Sequence, residues 1–336
     1  MSEFAPYRSV PRVSRLEYLV DFLTAFSKGA NRAELESKLV ERKSWFEDEK
    51  YKAVGRGKPF GNKALAHASS LLTDSFALSR QLGFIQGKEG DRKLTEEGQR
   101  FLSVSDYISC PNLFAQRFVR TYSSAQDLML LLDKAPNHQI TLSTQTYKKE
   151  GRHFTEIAKP LGLHTDVVTF IITREILSQL SLINWKPTYE HGSECIVYLS
   201  SNIEKTDNPN EPVGGLTFKN NGTLYSATIR SEPYDVIRDT LWSEYMELTD
   251  YVPLFPVFYS DLRSAVCCKL RISDKVFDAF AELFVSGNDT KLDVVWSSGS
   301  LPYSRDSANL LKSLPPKSVD GEYIIYLKIE KKENGN

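Results

Sequence analysis

The side chains that could do chemistry are spread thinly along this chain. Five histidines, His67, His138, His153, His164 and His191, show no ligand spacing with one another, so a histidine-held metal is not expected. The four cysteines, Cys110, Cys195, Cys267 and Cys268, contain no Cys-x-x-Cys pair, which argues for structural thiols over a zinc or redox motif. No Gly-x-Ser-x-Gly elbow and no His-Glu-x-x-His pair is present. The glycine-rich loop from Gly55 to Gly61 runs into Asn62-Lys63, whereas a phosphate loop needs Lys followed by Ser or Thr at that point. A metal-dependent nuclease would gather acids on adjacent strands. The nearest approach is Asp293 with Asp320 and Glu322, and Glu322 has no lysine two residues on. No catalytic residue, cofactor site or metal ligand is assigned, and the chain reads as a non-enzyme.

What remains is a set of polar groups suited to nucleic acid. Arg56, Lys58 and Lys63, followed by His67 and Ser70, lie in and just after the glycine loop. Lys88, Arg92 and Lys93 follow, and His164, Thr165, Thr169, Thr173 and Arg174 form a second group. Lysine and arginine attract phosphate and release counterions. Hydroxyls and imidazole can hydrogen-bond phosphates or base edges. The loop Arg56-Gly57-Lys58-Pro59 resembles a minor-groove hook.

Charge is unevenly divided in a way that fits these groups. The whole chain holds 42 basic and 43 acidic side chains, but residues 1–105 hold 18 and 14, residues 106–200 hold 9 and 9, and residues 201–336 hold 15 and 20. A basic amino end suits double-stranded DNA, and an acidic carboxyl end suits a protein partner or self-association.

The elements that must position these groups can be read from periodicity and turn residues. Leu16, Leu19, Val20, Leu23 and Phe26 recur at helical steps. Asn31 followed by Glu34 is a capping-box spacing, which starts a second helix expected to run to about Trp45. A long helix is expected from Asn62 to Leu82, stopped by Gly83. Two short strands, Phe84-Ile85 and Arg92–Leu94, flank the turn Gly87-Lys88-Glu89-Gly90-Asp91, and another helix opens at Thr95. Breaks fall at Ala135-Pro136-Asn137 and over the linker 200–215.

The run Leu94-Thr95-Glu96-Glu97-Gly98-x-x-Phe101-Leu102, preceded by strand, turn and strand, resembles the segment that closes many bacterial winged-helix domains. Phe154 to Val168 resembles a helix-turn-helix: small Ala158 lets two helices approach, Gly162 takes the tight turn, and Val168 packs the second helix back. Pro160, expected inside the first of those helices, would bend it. Strands at Leu182–Trp185 and Cys195–Leu199 would form a wing. In a winged helix the second helix of the turn enters the major groove. That implies reading faces of Lys63, His67, Ser70 and Asp74 in one module, and of His164, Thr165, Thr169 and Thr173, with Arg174 beside them, in the other.

In the third region a hairpin is expected around Asn220-Asn221-Gly222, then a helix over Tyr234–Leu248. Two further helices follow, the second capped by Ser273 and ending near Val285. Strands Leu292–Trp296 and Tyr323–Ile329 could supply another wing. The expected fold is mainly α with small β wings. A winged-helix domain at 1–105, then a helical linker and second winged-helix domain at 106–200, are followed by an α+β or third winged-helix domain at 216–331. This string resembles the DNA-recognition part of certain restriction enzymes, and bacterial regulators or accessory subunits of defence systems. It implies a cytoplasmic duplex-DNA-binding protein, as transcription regulator or recognition subunit, without cofactor. Two alternatives stand beside it: a protein–protein adaptor, and a restriction-type nuclease with a divergent site in the third region. No apolar run reaches the ~18 residues a membrane span needs.

Overall fold

The computed structural model describes residues 9–53, 68–103, 113–143, 147–163, 165–188, 194–285, 289–297 and 323–332. The described chain is mainly helical with small antiparallel sheets. It divides into two compact units, Met1–Ser44 with Gly61–Ile229, and Trp45–Phe60 with Arg230–Asn336.

The described chain opens with three helices, α1 (Leu16–Ser27), α2 (Arg32–Ala53) and α3 (Ala68–Gln81). The capping box forms at α2. Asn31 Oδ1 accepts from the amides of Ala33 and Glu34, and Glu34 Oε2 accepts from the Asn31 amide at 2.7 Å. The helix runs past the expected end at Trp45 to Ala53. Gly83 stops α3 at φ +80°, and the two-residue strands β1 (Ile85–Gln86) and β2 (Lys93–Leu94) pair antiparallel. Then α4 (Glu96–Ser103) follows, with the Thr95 hydroxyl accepting from the Gly98 amide at 3.0 Å. Any side chain at position 98 would meet the Phe84 carbonyl, which lies 2.3 Å from where its Cβ would stand. Glycine here therefore permits the ribbon and helix to close.

Buried rings continue from Phe84 over Phe101 (4.8 Å) to Phe114, Phe118 and Tyr122. The last three lie on or just after α5 (Leu113–Thr121). One buried cluster extends from Val10 to Ala227, so the two amino-terminal domains expected from the sequence share a single core.

The next stretch runs helix, strand, helix, helix, strand, strand: α6 (Ser123–Lys134), β3 (Gln139–Ser143), α7 (Tyr147–Ala158), α8 (Val167–Gln179), β4 (Ile183–Thr188) and β5 (Glu194–Leu199). The sheet order is β3-β5-β4, which leaves Pro187 on an edge strand, the place where a sheet accommodates proline. Pro160 does not bend α7. The helix ends at Ala158, and Pro160 sits in a separate 3-10 turn, Lys159–Leu161, whose first turn tolerates a residue without an N–H. Gly162 takes φ +72° as the turn requires.

The unit closes with a second sheet, β6 (Ser201–Lys205), β7 (Gly215–Asn220) and β8 (Thr223–Ile229), in the order β6-β8-β7. Asn221 and Gly222 both have positive φ in the two-residue hairpin loop. The hairpin was expected in the third domain and belongs instead to the first unit, because β8 pairs with β6 within the presumed linker.

The second unit repeats the same order with α9 (Tyr234–Leu248), β9 (Val257–Phe258), α10 (Tyr259–Leu270), α11 (Asp274–Val285), β10 (Leu292–Ser297) and β11 (Tyr326–Lys331). Its sheet order is β10-β11-β9. The α10–α11 turn uses Arg271 at φ +55°, and the Ser273 hydroxyl accepts from the Val276 amide at 3.3 Å.

Candidate nucleic-acid interface

On α3 the buried side is Leu71, Leu72, Ser75, Leu78 and Ser79, while Ser69, Ser70, Thr73 and Arg80 face solvent. Three- and four-residue steps put the exposed four on one side of the helix. The Thr73 hydroxyl donates to the Ser69 carbonyl at 2.9 Å, leaving its lone pairs outward. Asp74, expected on the reading face, is half-buried instead. Burial pushes its carboxyl up from the usual value, against the amide and charge of Arg12. The open face of α3 is therefore rotated from the expected one and carries hydroxyls and a guanidinium.

Beside it, the β1–β2 ribbon exposes Lys88 and Lys93. Lys93 lies 3.3 Å from Asp91, both largely in water, a pairing worth little. Arg92 behaves differently. Its guanidinium stacks over the Phe76 ring at 4.3 Å, which clamps the ribbon to α3. Arg56, Lys58, Lys63 and His67, and likewise His164, lie outside the described residues.

Of the second reading face expected from the sequence, Thr169, Thr173 and Arg174 are not on the surface. Thr169 and Thr173 are 1% exposed and Arg174 is 0% exposed. The cause is composition: Val167, Val168, Phe170, Ile171, Ile172, Ile176 and Leu177 leave α8 apolar on nearly every side, and such a helix is buried. Thr169, Thr173 and Arg174 each have a partner inside the protein. The Thr169 hydroxyl donates to Asp166 at 2.7 Å, and Thr173 shares a hydrogen bond with Ser124 at 3.3 Å. Arg174 donates to Glu175 and to Cys195 Sγ and lies 4.1 Å above the Trp185 ring. Gln179 joins the amino-terminal segment, donating to the Ser14 carbonyl and accepting from the Leu16 amide. Thr165 is half-buried, its hydroxyl 3.3 Å from the Asp166 carbonyl. Asp166 is the N-cap of α8, accepting from the amides of Val168 and Thr169. The correction is plain: Thr169, Thr173 and Arg174 are core residues.

In the second unit α11 occupies the same place in the element order as α8, yet Ala279, Glu282 and Leu283 are exposed on it. Those three side chains offer phosphate no cation and no hydroxyl. Inside the unit Arg263, 3% exposed, donates to both carboxylate oxygens of Asp278, which also accepts from the Tyr259 hydroxyl at 2.6 Å. Among the described residues no group of three His, Cys, Asp or Glu side chains could hold a metal ion. Asp293 is exposed opposite Glu330 in the β10–β11 ladder, while Asp320 and Glu322 lie outside the described residues. No described helix is long and apolar enough to cross a membrane.

Ser69, Thr73 and Arg80 were missed from the sequence. The signal was the spacing of Leu71, Leu72, Leu78 and Leu82, which fixes the inner face of α3 and so its outer one. Comparison with known proteins finds no matching family model, curated relative or solved structure.

Proposed function

We propose that this chain is a non-enzymatic duplex-DNA-binding protein that meets DNA through its amino-terminal module alone. The observation that carries this reading is the open face of α3, with Ser69, Ser70, Thr73 and Arg80, next to Lys88 and Lys93 of the ribbon. Hydroxyls and guanidinium there suit phosphates and base edges. The element order of residues 123–199 and 234–331, each with its first strand beside its third, supports reading both as winged helices. In that reading 123–199 braces the DNA-facing module and 234–331 meets other proteins. The role that fits is a regulator or DNA-recognition subunit of a restriction or defence system, working in the cytoplasm.

Binding to random duplex should fall steeply as salt rises. Arg80→Glu combined with Lys88→Glu should weaken it at least tenfold, by more than about 1.4 kcal/mol. No binding at low salt by the unaltered chain would overturn the reading. A second reading, a protein–protein adaptor, is favoured by one observation: the enclosure of α8 withdraws half of the expected DNA-reading surface. The same titration separates the two.

A further inference from the structure

The ribbon that carries Lys88 and Lys93 has little of its own to hold it in place. Its ladder pairs two residues with two, and an isolated pair of strands is marginal in water. The base is anchored: Phe84 and Ile85 are buried. There the Thr95 hydroxyl donates to the Gly83 carbonyl at 2.7 Å and its amide to the Phe84 carbonyl at 3.0 Å. The tip is different. From Gln86 to Lys93 every residue is exposed except Arg92. The Asp91 amide donates to the Lys88 carbonyl at 3.0 Å, a bond internal to the tip.

Arg92 supplies the connection to the helix. Its guanidinium carbon stands 4.3 Å from the centroid of the Phe76 ring on α3. Phe76 is partly buried and meets two rings of α1 edge-on, Phe22 at 4.7 Å and Phe26 at 5.8 Å. A flat guanidinium on a ring that is itself fixed by two others makes a directional contact. The Arg92 Nε is closed off from solvent and has no hydrogen-bond partner among the described residues, so the stacking alone orients it. Direction matters because the ribbon is of mixed charge. Lys88, Arg92 and Lys93 share it with Glu89 and Asp91, and Asp91 lies 3.3 Å from Lys93. Such a ribbon attracts phosphate only when it is held with its lysines toward the duplex. We infer that Arg92 is a positioning residue for the DNA contact: by stacking on Phe76 it sets where Lys88 and Lys93 stand beside the open face of α3, and it takes no phosphate itself. The inference rests on the DNA reading above and assigns the phosphate contacts of the ribbon to its two lysines.

The test is a salt titration of the full chain on a fluorescein-labelled random-sequence duplex, read by anisotropy. Phe76→Leu alters no charge, yet it should weaken binding about fivefold, the worth of one cation–π contact. It should also flatten the dependence of log affinity on log salt by roughly one to two, as Lys88 and Lys93 lose their phosphates. Arg92→Gln should do the same, and the double variant should be no weaker than either single one, because the two side chains act as a unit. A direct phosphate contact by Arg92 gives another pattern. Arg92→Gln alone would flatten the slope, by roughly 0.9, Phe76→Leu would leave it unchanged, and the two losses would multiply; that pattern overturns the inference.

Hydrogen exchange on the same chains separates loss of the clamp from loss of the fold. Amides of residues 85–94 should exchange faster in both variants while those of α6 stay protected. Ribbon exchange unchanged in Arg92→Gln also overturns the inference. Absence of binding by the unaltered chain would fail the DNA reading and this inference with it, whereas binding that ignores Phe76→Leu fails the inference alone.

Discussion

Residues 123–199 and 234–331 run through the same elements in the same order, and in both the first strand lies beside the third. Their third helices differ completely in exposure. Along α8 eight of thirteen residues are buried, whereas α11 buries Phe277, Phe280 and Ala281 and leaves Ala279, Glu282 and Leu283 open. The buried cations differ too. Arg174 lies on Trp185 and reaches the neighbouring Glu175, while Arg263 is held between Asp278 and Asp274. Topology fixes where a third helix lies in its module; side-chain composition fixes whether it is a surface.

The largest effect should come from the two arginines. Arg263→Ala leaves Asp274 and Asp278 facing each other without a counter-charge and should cost the second unit about 3–5 kcal/mol. Urea unfolding followed by hydrogen exchange should show that loss in α9–β11 amides and none in the first unit. Arg174→Ala should cost less, because Glu175, at 18% exposure, can turn to water. Equal costs would break the contrast. Next, Thr173→Val leaves the buried Ser124 hydroxyl without its partner and should cost about 1–3 kcal/mol, with DNA affinity of the folded chain unchanged. A change in sequence preference would return α8 to the interface.

Asp166→Ala should cost about 1 kcal/mol as a lost N-cap. On an exposed reading helix it would also raise DNA affinity by removing a negative charge, and here no rise is expected in the same titration. The smallest effect is one of pH. Burial, together with Asp289, pushes the Tyr234 hydroxyl up to about 12 from 10. The folded chain keeps that proton where the unfolded chain has lost it, so stability falls as pH rises through that window. Tyr234→Phe should remove this part of the slope, read as the difference between the two chains' alkaline unfolding curves.

Much of this arrangement was legible in the sequence where local chemistry decides it. Asn31 and Glu34, Gly83, Gly162, Asn221-Gly222 and Ser273 each made a cap, stop or turn at the expected place. Strand β10 also lies where its apolar run put it, while β11 starts three residues later than expected and ends two later. Tertiary packing decided the rest. Nothing in residues 106–142 announces that Phe114 and Phe118 continue a ring stack begun at Phe84, so a core shared across residue 105 was not expected. The error on α8 came from reading Thr169 and Thr173 as outward because they are polar, although Val167 to Leu177 is too apolar all round to leave an outer face. On α3 Asp74 was placed outward by its four-residue step from Ser70, although it lies three residues after Leu71 and four before Leu78 and is half-buried beside them.

The most direct test of the proposed DNA contact is hydroxyl-radical footprinting of the protein at low salt, with and without random duplex. Protection should appear on α3, at Thr73 and Arg80, and on the ribbon at Lys88, with none over the α7–α8 turn at Leu161 or on α11 at Leu283. Protection at Leu161 without any on α3, or no protection anywhere, would contradict a single DNA-facing module at the amino end.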